Sequence, residues 1–172
     1  MITPTRKDLS FSFGYLARCR RILDVGCGTG EFIKLAPHRI IGIDINRQQN
    51  SRIKFGRATA IPYPKNSFDG LHCSHVIEHL EPHDVYLFLK QAARVLKADG
   101  ILVISSPVLW SGFYDNLTHI KPYPPRAITR YLVETAPDTT YPAIRAKFKL
   151  VALRWRYRYL TKTGYTLVLK KC

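Results

Sequence analysis

Three groups of residues in this chain carry chemistry by their type and spacing. The first is an acid–glycine run, Asp24-Val25-Gly26-Cys27-Gly28-Thr29-Gly30-Glu31, answered further along by Asp44. Glycines at alternate positions let the backbone turn sharply and approach a ligand without Cβ atoms in the way. A carboxylate at Asp24 suits an ammonium group. Asp44 lies about twenty residues further on, where an acid holds ribose hydroxyls across the crevice of an α/β sheet. A short helix over 29–35 would offer free N–H groups to a carboxylate. A dinucleotide wants G-x-G-x-x-G with a small third residue, and here that position is Glu31, a poor fit.

The second group is His72, His75, Glu78, His79 and His83. His75-Val76-Ile77-Glu78-His79 formally matches an H-x-x-E-H zinc motif. Zinc would need both histidines on one helical face and a third ligand nearby. His72 falls in a strand and Pro82 interrupts the pattern, so no metal is expected. The third group lies in the loop 107–123, with Trp110, His119 and Tyr123. A histidine is the natural base near neutral pH. His119 is the first candidate for that role and His75 the second. Ser74 ends a strand, where ligands of open α/β sheets bind.

Elements that position these residues follow from the hydrophobic pattern. Apolar runs bounded by turn residues at 22–25, 40–45, 53–55 and 101–106 read as buried parallel strands, and 66–70 as a turn into a further one ending at Ser74. Pro82 opens a helix in which Val85, Phe88, Leu89, Ala92, Val95 and Leu96 recur at helical spacing, and 97–100 reads as its C-cap turn. A second helix is expected over 124–135, with proline near its start. Residues 8–20 read as an amphipathic helix covering the sheet edge or the cofactor mouth, and 46–51 as a short helix. Residues 147–159 alternate, with Arg154, Arg156 and Arg158 on one face and Trp155, Tyr157 and Tyr159 on the other. A turn at 161–164 and a return strand at 165–169 complete a hairpin. Its aromatic row should pack on a helix, and its arginine row should face solvent or a polyanion.

The length of 172 residues fits one domain spanning 1–172. A hydrophobic share of 46 % excludes a disordered chain, and no stretch is apolar for the roughly 18 residues of a membrane span. Cys19, Cys27, Cys73 and Cys172 form no C-x-x-C pair and read as reduced cysteines of a cytoplasmic protein. No signal peptide is evident at the N-terminus. The formal charge is +15, and residues 121–172 hold 12 Lys/Arg against Glu134 and Asp138. That imbalance makes RNA or another polyanion a candidate partner. The oligomeric state leaves no mark in the sequence.

The pattern Asp24-x-Gly26-x-Gly28-x-Gly30, followed by a strand ending in Asp44, resembles the first motifs of the class I S-adenosylmethionine (SAM) methyltransferases. The segment 56–64 is similar to their adenine-enclosing stretch, with Arg57 where that stretch usually has an acid. Residues 74–80 resemble their His/Glu-rich turn, and 118–123 the segment that often lies over the acceptor pocket. The resemblance implies a Rossmann-like, mostly parallel seven-stranded sheet of order 3-2-1-4-5-7-6 with helices on both faces, closed by the hairpin 147–172. It implies SAM as cofactor, held by Asp24, Gly26, Cys27, Gly28, Asp44, Ile45, Ala58 and Ser74, and a methyl acceptor beneath the loop 107–123. The Asn/Asp-Pro-Pro-aromatic motif of amide and adenine N-methylation is absent. An oxygen or simple amine acceptor is therefore expected, on a small molecule rather than RNA. The alternative is a non-catalytic protein of the same fold that binds RNA or a partner subunit through its basic half.

Overall fold

A computed structural model describes residues 5–47, 49–134 and 140–172. Seven strands form one sheet of order β3-β2-β1-β4-β5-β7-β6. In chain order they are β1 (Ile22–Val25), β2 (Ile40–Asp44), β3 (Ile53–Phe55), β4 (Phe68–Ser74), β5 (Leu96–Pro107), β6 (Phe148–Arg158) and β7 (Thr161–Lys171). The first five pair in parallel, and β7 runs antiparallel to both β5 and β6. Order and direction are those the resemblance implied.

Strand alternation divides the apolar residues between two faces. Leu23, Val25, Leu71, Cys73, Leu102 and Ile104 pack with α2 (Pro82–Val95) and α3 (Pro125–Leu132) in the larger core. Ile22, Ile40, Val103 and Val168 join Leu16, Phe32 and Ile33 in a smaller core on the other face. α1 (Arg6–Leu16) covers that face, opened by a capping box in which Thr5 and Asp8 satisfy each other's backbone N–H groups. Asp24 and His72 share this second face, because β1 and β4 place them directly opposite each other.

Several local expectations shift. The helix expected over 29–35 shrinks to a single 3₁₀ turn, Ile33–Leu35, because Gly28 and Gly30 hold the preceding chain at positive φ. No helix forms among the described residues of 46–51, where Asn50 and the Asp44 carboxylate organise bends instead. The C-cap turn expected at 97–100 is displaced. α2 ends at Val95; its C-cap Leu96 pairs with Phe68, and the register resumes only at Ile101 opposite Gly70, so the intervening residues bulge with Asp99 at φ 60°. α3 ends at Leu132, and residue 135 lies outside the described residues. The hairpin turns at Tyr159-Leu160, with Tyr159 at φ 54°, and 161–164 belong to β7.

Alternation in β6 also breaks. A bulge between Arg156 and Tyr157 shifts the register. Arg154 sits 3.8 Å from Asp8 of α1 and 4.6 Å from the Phe11 ring, and Arg156 donates to the Ser106 carbonyl at 3.3 Å. The arginine row is therefore not a free solvent-facing stripe: two of its members are spent on the protein, and Arg158 alone of the three is exposed. Lys170 pairs with Asp99 at 2.7 Å, and Lys171 caps the carbonyls of Ala93 and Leu96 at the end of α2.

Candidate active site

The carboxyl ends of β1 and β4 open into a cavity of about 980 Å³. Its first wall is the glycine turn. Gly26, at φ 67°, follows Val25 directly, and a Cβ there would lie 2.3 Å from the Val76 side chain. Both its conformation and its neighbour therefore require glycine. Gly28, at φ 50°, has nothing within 4 Å of where its Cβ would be, so the backbone is bare toward open space. Asp44 fixes this turn from β2. One carboxylate oxygen accepts from Gly28 N–H and the other from Asn46 N–H, each at 2.8 Å.

Asp24 faces the same cavity and accepts from the Nδ1 of His72 at 2.7 Å. The His72 ring stacks on Phe32 with centroids 3.8 Å apart, and its Nε2 has no hydrogen-bond partner among the described residues. Cys27 lines the wall with its thiol pushed up to about 12, by burial first and then by the charges of Asp24 and Asp44. It stays a neutral thiol and contributes shape rather than nucleophilicity.

The second wall is made of side chains from distant segments. Ser74 ends β4, His75 follows it directly, and a 3₁₀ turn, Ile77–His79, comes next. His75 has φ 55°, and its Nδ1 lies 3.1 Å from Oε1 of Glu78, which is fully buried; the His75 Nε2 is buried without a partner among the described residues. Ser106 donates to the other Glu78 oxygen at 3.2 Å. Across the cavity, the loop after β5 supplies Trp110, Asp115 and His119. His119 Nδ1 meets the Phe113 carbonyl at 2.6 Å, and His79 Nδ1 meets the Thr118 carbonyl at 2.9 Å. The two rings stand edge to face at 4.9 Å. One ligand-capable atom from each of Glu78, His79 and His119 lies within 4.8 Å of the others.

Asp24, Gly26, Cys27, Gly28, Ser74, His75 and His119 thus line a single cavity, and Arg6 and Leu9 of α1 reach its rim. Asp44, Ile45 and Ala58 are not on its wall: Asp44 lies behind the glycine turn, Ile45 is exposed, and Ala58 packs on the larger core. Tyr123, expected over the acceptor with His119 and Trp110, points elsewhere. Its hydroxyl donates to the Leu80 carbonyl at 2.8 Å and its backbone carbonyl accepts from Tyr165, so burial fixes it in the larger core.

Residues 23–104 match a family described as a methyltransferase domain. A probable methyltransferase, ltbC of Aspergillus luteorubrus, is 33 % identical over 121 residues, covering 55 % of this chain and 42 % of that protein. A SAM dependent methyltransferase from Archaeoglobus fulgidus has the same fold, with TM-score 0.73 and 23 % identity over 96 % of this chain and 92 % of that one. The 1,6-didemethyltoxoflavin-N1-methyltransferase of Burkholderia thailandensis, solved with bound 1,6-didemethyltoxoflavin and S-adenosylhomocysteine, has TM-score 0.71 and 15 % identity, covering 96 % of this chain and 77 % of that one. The chain spans 42 % and 40 % of the first two curated relatives it matches. The family match includes the glycine turn, β4 and Glu78, and stops before His119.

Two pairings in the site escaped the sequence. The Asp24–His72 pair had a signal: a histidine in the middle of an apolar strand, set by the strand order beside the motif acid. The approach of His119 to Glu78 and His79 had none, because it depends on how the loop after β5 folds back.

Proposed function

We propose that this chain binds SAM in the cavity and moves its methyl group to an oxygen or nitrogen of a small-molecule acceptor held beneath the loop 107–123. The observation that carries this reading is the convergence of the motif residues Asp24, Gly26, Cys27, Gly28 and Ser74 with His75 and His119 on one cavity of about 980 Å³, within the usual range for ligand sites. The residues fit the cofactor: Gly28 leaves bare backbone where a ligand backbone or carboxylate would lie, and Asp24 presents a carboxylate for an ammonium. When bound, SAM supplies a methyl group already activated by its sulfonium.

What remains for the protein is positioning and a proton. Asp24 spends one oxygen on His72 and keeps its other lone pairs for the ligand. Asp44 supports the turn by holding Gly28 N–H. His75 is the better base of the two candidates. Its Nδ1 lies against the Glu78 carboxylate, which fixes the ring and its tautomer and leaves Nε2 to accept a proton. His119 faces only a neutral carbonyl, so its place is in holding the acceptor. The deciding experiment is calorimetric titration with S-adenosylhomocysteine, followed by incubation with methyl-labelled SAM and extract separated into small-molecule, protein and RNA fractions. Label in the small-molecule fraction is expected. Absence of S-adenosylhomocysteine binding at millimolar concentration overturns the reading.

A further inference from the structure

We propose that Glu78, His79 and His119 form a binding site for a divalent transition-metal ion. Two imidazoles and one carboxylate are the donors that zinc, iron and cobalt accept. Their ligand-capable atoms already lie within 4.8 Å of one another. Ligands bound at about 2.1 Å sit roughly 3–3.5 Å apart, so the site closes by small side-chain rotations.

The outer contacts are those a metal site requires. His119 Nδ1 meets the Phe113 carbonyl at 2.6 Å, and His79 Nδ1 meets the Thr118 carbonyl at 2.9 Å. A carbonyl only accepts, so each ring carries its proton on Nδ1 and presents a bare Nε2 lone pair. The Glu78 carboxylate is oriented by His75 on one oxygen and Ser106 on the other. Glu78 is 0 % exposed. The half-buried Arg156 feels its charge, but that guanidinium donates to the Ser106 carbonyl and makes no ion pair with Glu78 among the described residues. A cation placed directly on a buried carboxylate offsets the cost of burying its charge. His79 and His119 line the cavity, so a bound ion would turn its open positions toward the acceptor side. An acceptor offering an oxygen atom fits such an ion. The sequence motif pointed to His75 as a ligand together with His79; the geometry instead makes His75 a support for Glu78 and brings His119 in from the loop after β5.

The inference does not depend on SAM, and its test keeps the two apart. Untagged, metal-free protein is titrated with Co²⁺ while visible absorption is recorded, then Zn²⁺ is added in competition. Expected are ligand-field bands that saturate at one equivalent and are displaced by Zn²⁺. Changes in outer contacts of metal sites lower affinity about 10–100-fold, so His119→Ala, His79→Ala and the near-isosteric Glu78→Gln should each lower it by at least about 100-fold. Circular dichroism and S-adenosylhomocysteine titration are run on every variant, and a variant that does not fold is set aside in favour of the other two. No saturable Co²⁺ band in the wild-type protein overturns the site, as does a band that survives in the folded variants. Loss of S-adenosylhomocysteine binding in a protein that still binds Co²⁺ counts against the cofactor reading alone.

Discussion

At one end of the cavity the wall is backbone: Gly26 and Gly28 at positive φ, with Asp44 holding the turn by its Gly28 N–H. At the other end the wall is side chain: His75 and His79 after β4, with Glu78 buried behind His75, facing His119 from the loop after β5. The first wall is specified within one continuous stretch. The second depends on contacts such as His79 with Thr118, 39 positions apart. A backbone wall tolerates little change of residue type, because each substitution moves the chain itself. A side-chain wall can change its chemistry while the sheet beneath it stays intact, which is how one fold serves many reactions.

The largest expected effect tests the backbone wall. Gly26→Ala meets both a left-handed φ of 67° and a Cβ 2.3 Å from Val76. Strain and overpacking together should cost about 2–4 kcal/mol in urea unfolding and abolish S-adenosylhomocysteine binding. Gly28→Ala has a φ of 50° but open space around it, so it should cost about 1 kcal/mol while still blocking the ligand. Equal destabilisation by the two would remove the distinction between a packed glycine and a bare one.

The side-chain wall predicts the opposite pattern. His75→Asn keeps a residue type that tolerates φ 55° but removes the base beside Glu78. Turnover should fall by about 10²–10⁴-fold, with S-adenosylhomocysteine affinity and unfolding midpoint nearly unchanged. A full rate with His75→Asn and a collapsed rate with His119→Ala would reverse the assignment of base and acceptor-holding residue.

Asp44 lies between the two cases. It is a side chain that acts through backbone, accepting from Gly28 and Asn46 at 2.8 Å each. Asp44→Ala strands two N–H groups, so it should cost about 1–3 kcal/mol in stability and weaken S-adenosylhomocysteine by about tenfold. If affinity falls while stability does not, Asp44 acts on the ligand directly rather than through the turn.

The same contrast explains what could be read in the sequence. The strands and the glycine turn were legible because apolar runs and alternate glycines are local signals of parallel strands and a bare turn, whereas the strand order came only from the family resemblance. The hairpin turn was not. Thr161-Lys162-Thr163-Gly164 has turn composition, yet Gly164 sits inside β7 for want of room: a Cβ there would lie 2.5 Å from the Arg156 guanidinium and 2.9 Å from the Ser106 carbonyl. Glycine as a spacer and glycine as a turn look alike in one sequence. Tyr123 was misplaced for a related reason. Its hydroxyl partner, the Leu80 carbonyl, is 43 positions away, and nothing in the loop's aromatic content says which side of the sheet each ring joins.

The smallest expected effect concerns the arginines of β6, where the sequence showed charge but not its partners. Arg154 is held between Asp8 and Phe11, so Arg154→Ser should loosen α1 by about 0.5–1 kcal/mol. Arg158 is exposed, and Arg158→Ser should lie within about 0.5 kcal/mol of wild type. If the basic half engages single-stranded RNA, affinity falls by about 0.7 log unit per neutralised phosphate for each tenfold rise in salt. With Arg154 turned to α1 and Arg156 to the Ser106 carbonyl, replacing all three by serine should flatten that slope by no more than about one phosphate's worth. A loss near three phosphates' worth would mean that the arginines leave their partners to meet RNA, and that this edge of the sheet is a polyanion surface after all. A slope unchanged by the triple variant would place any RNA contact elsewhere among the basic residues, away from β6.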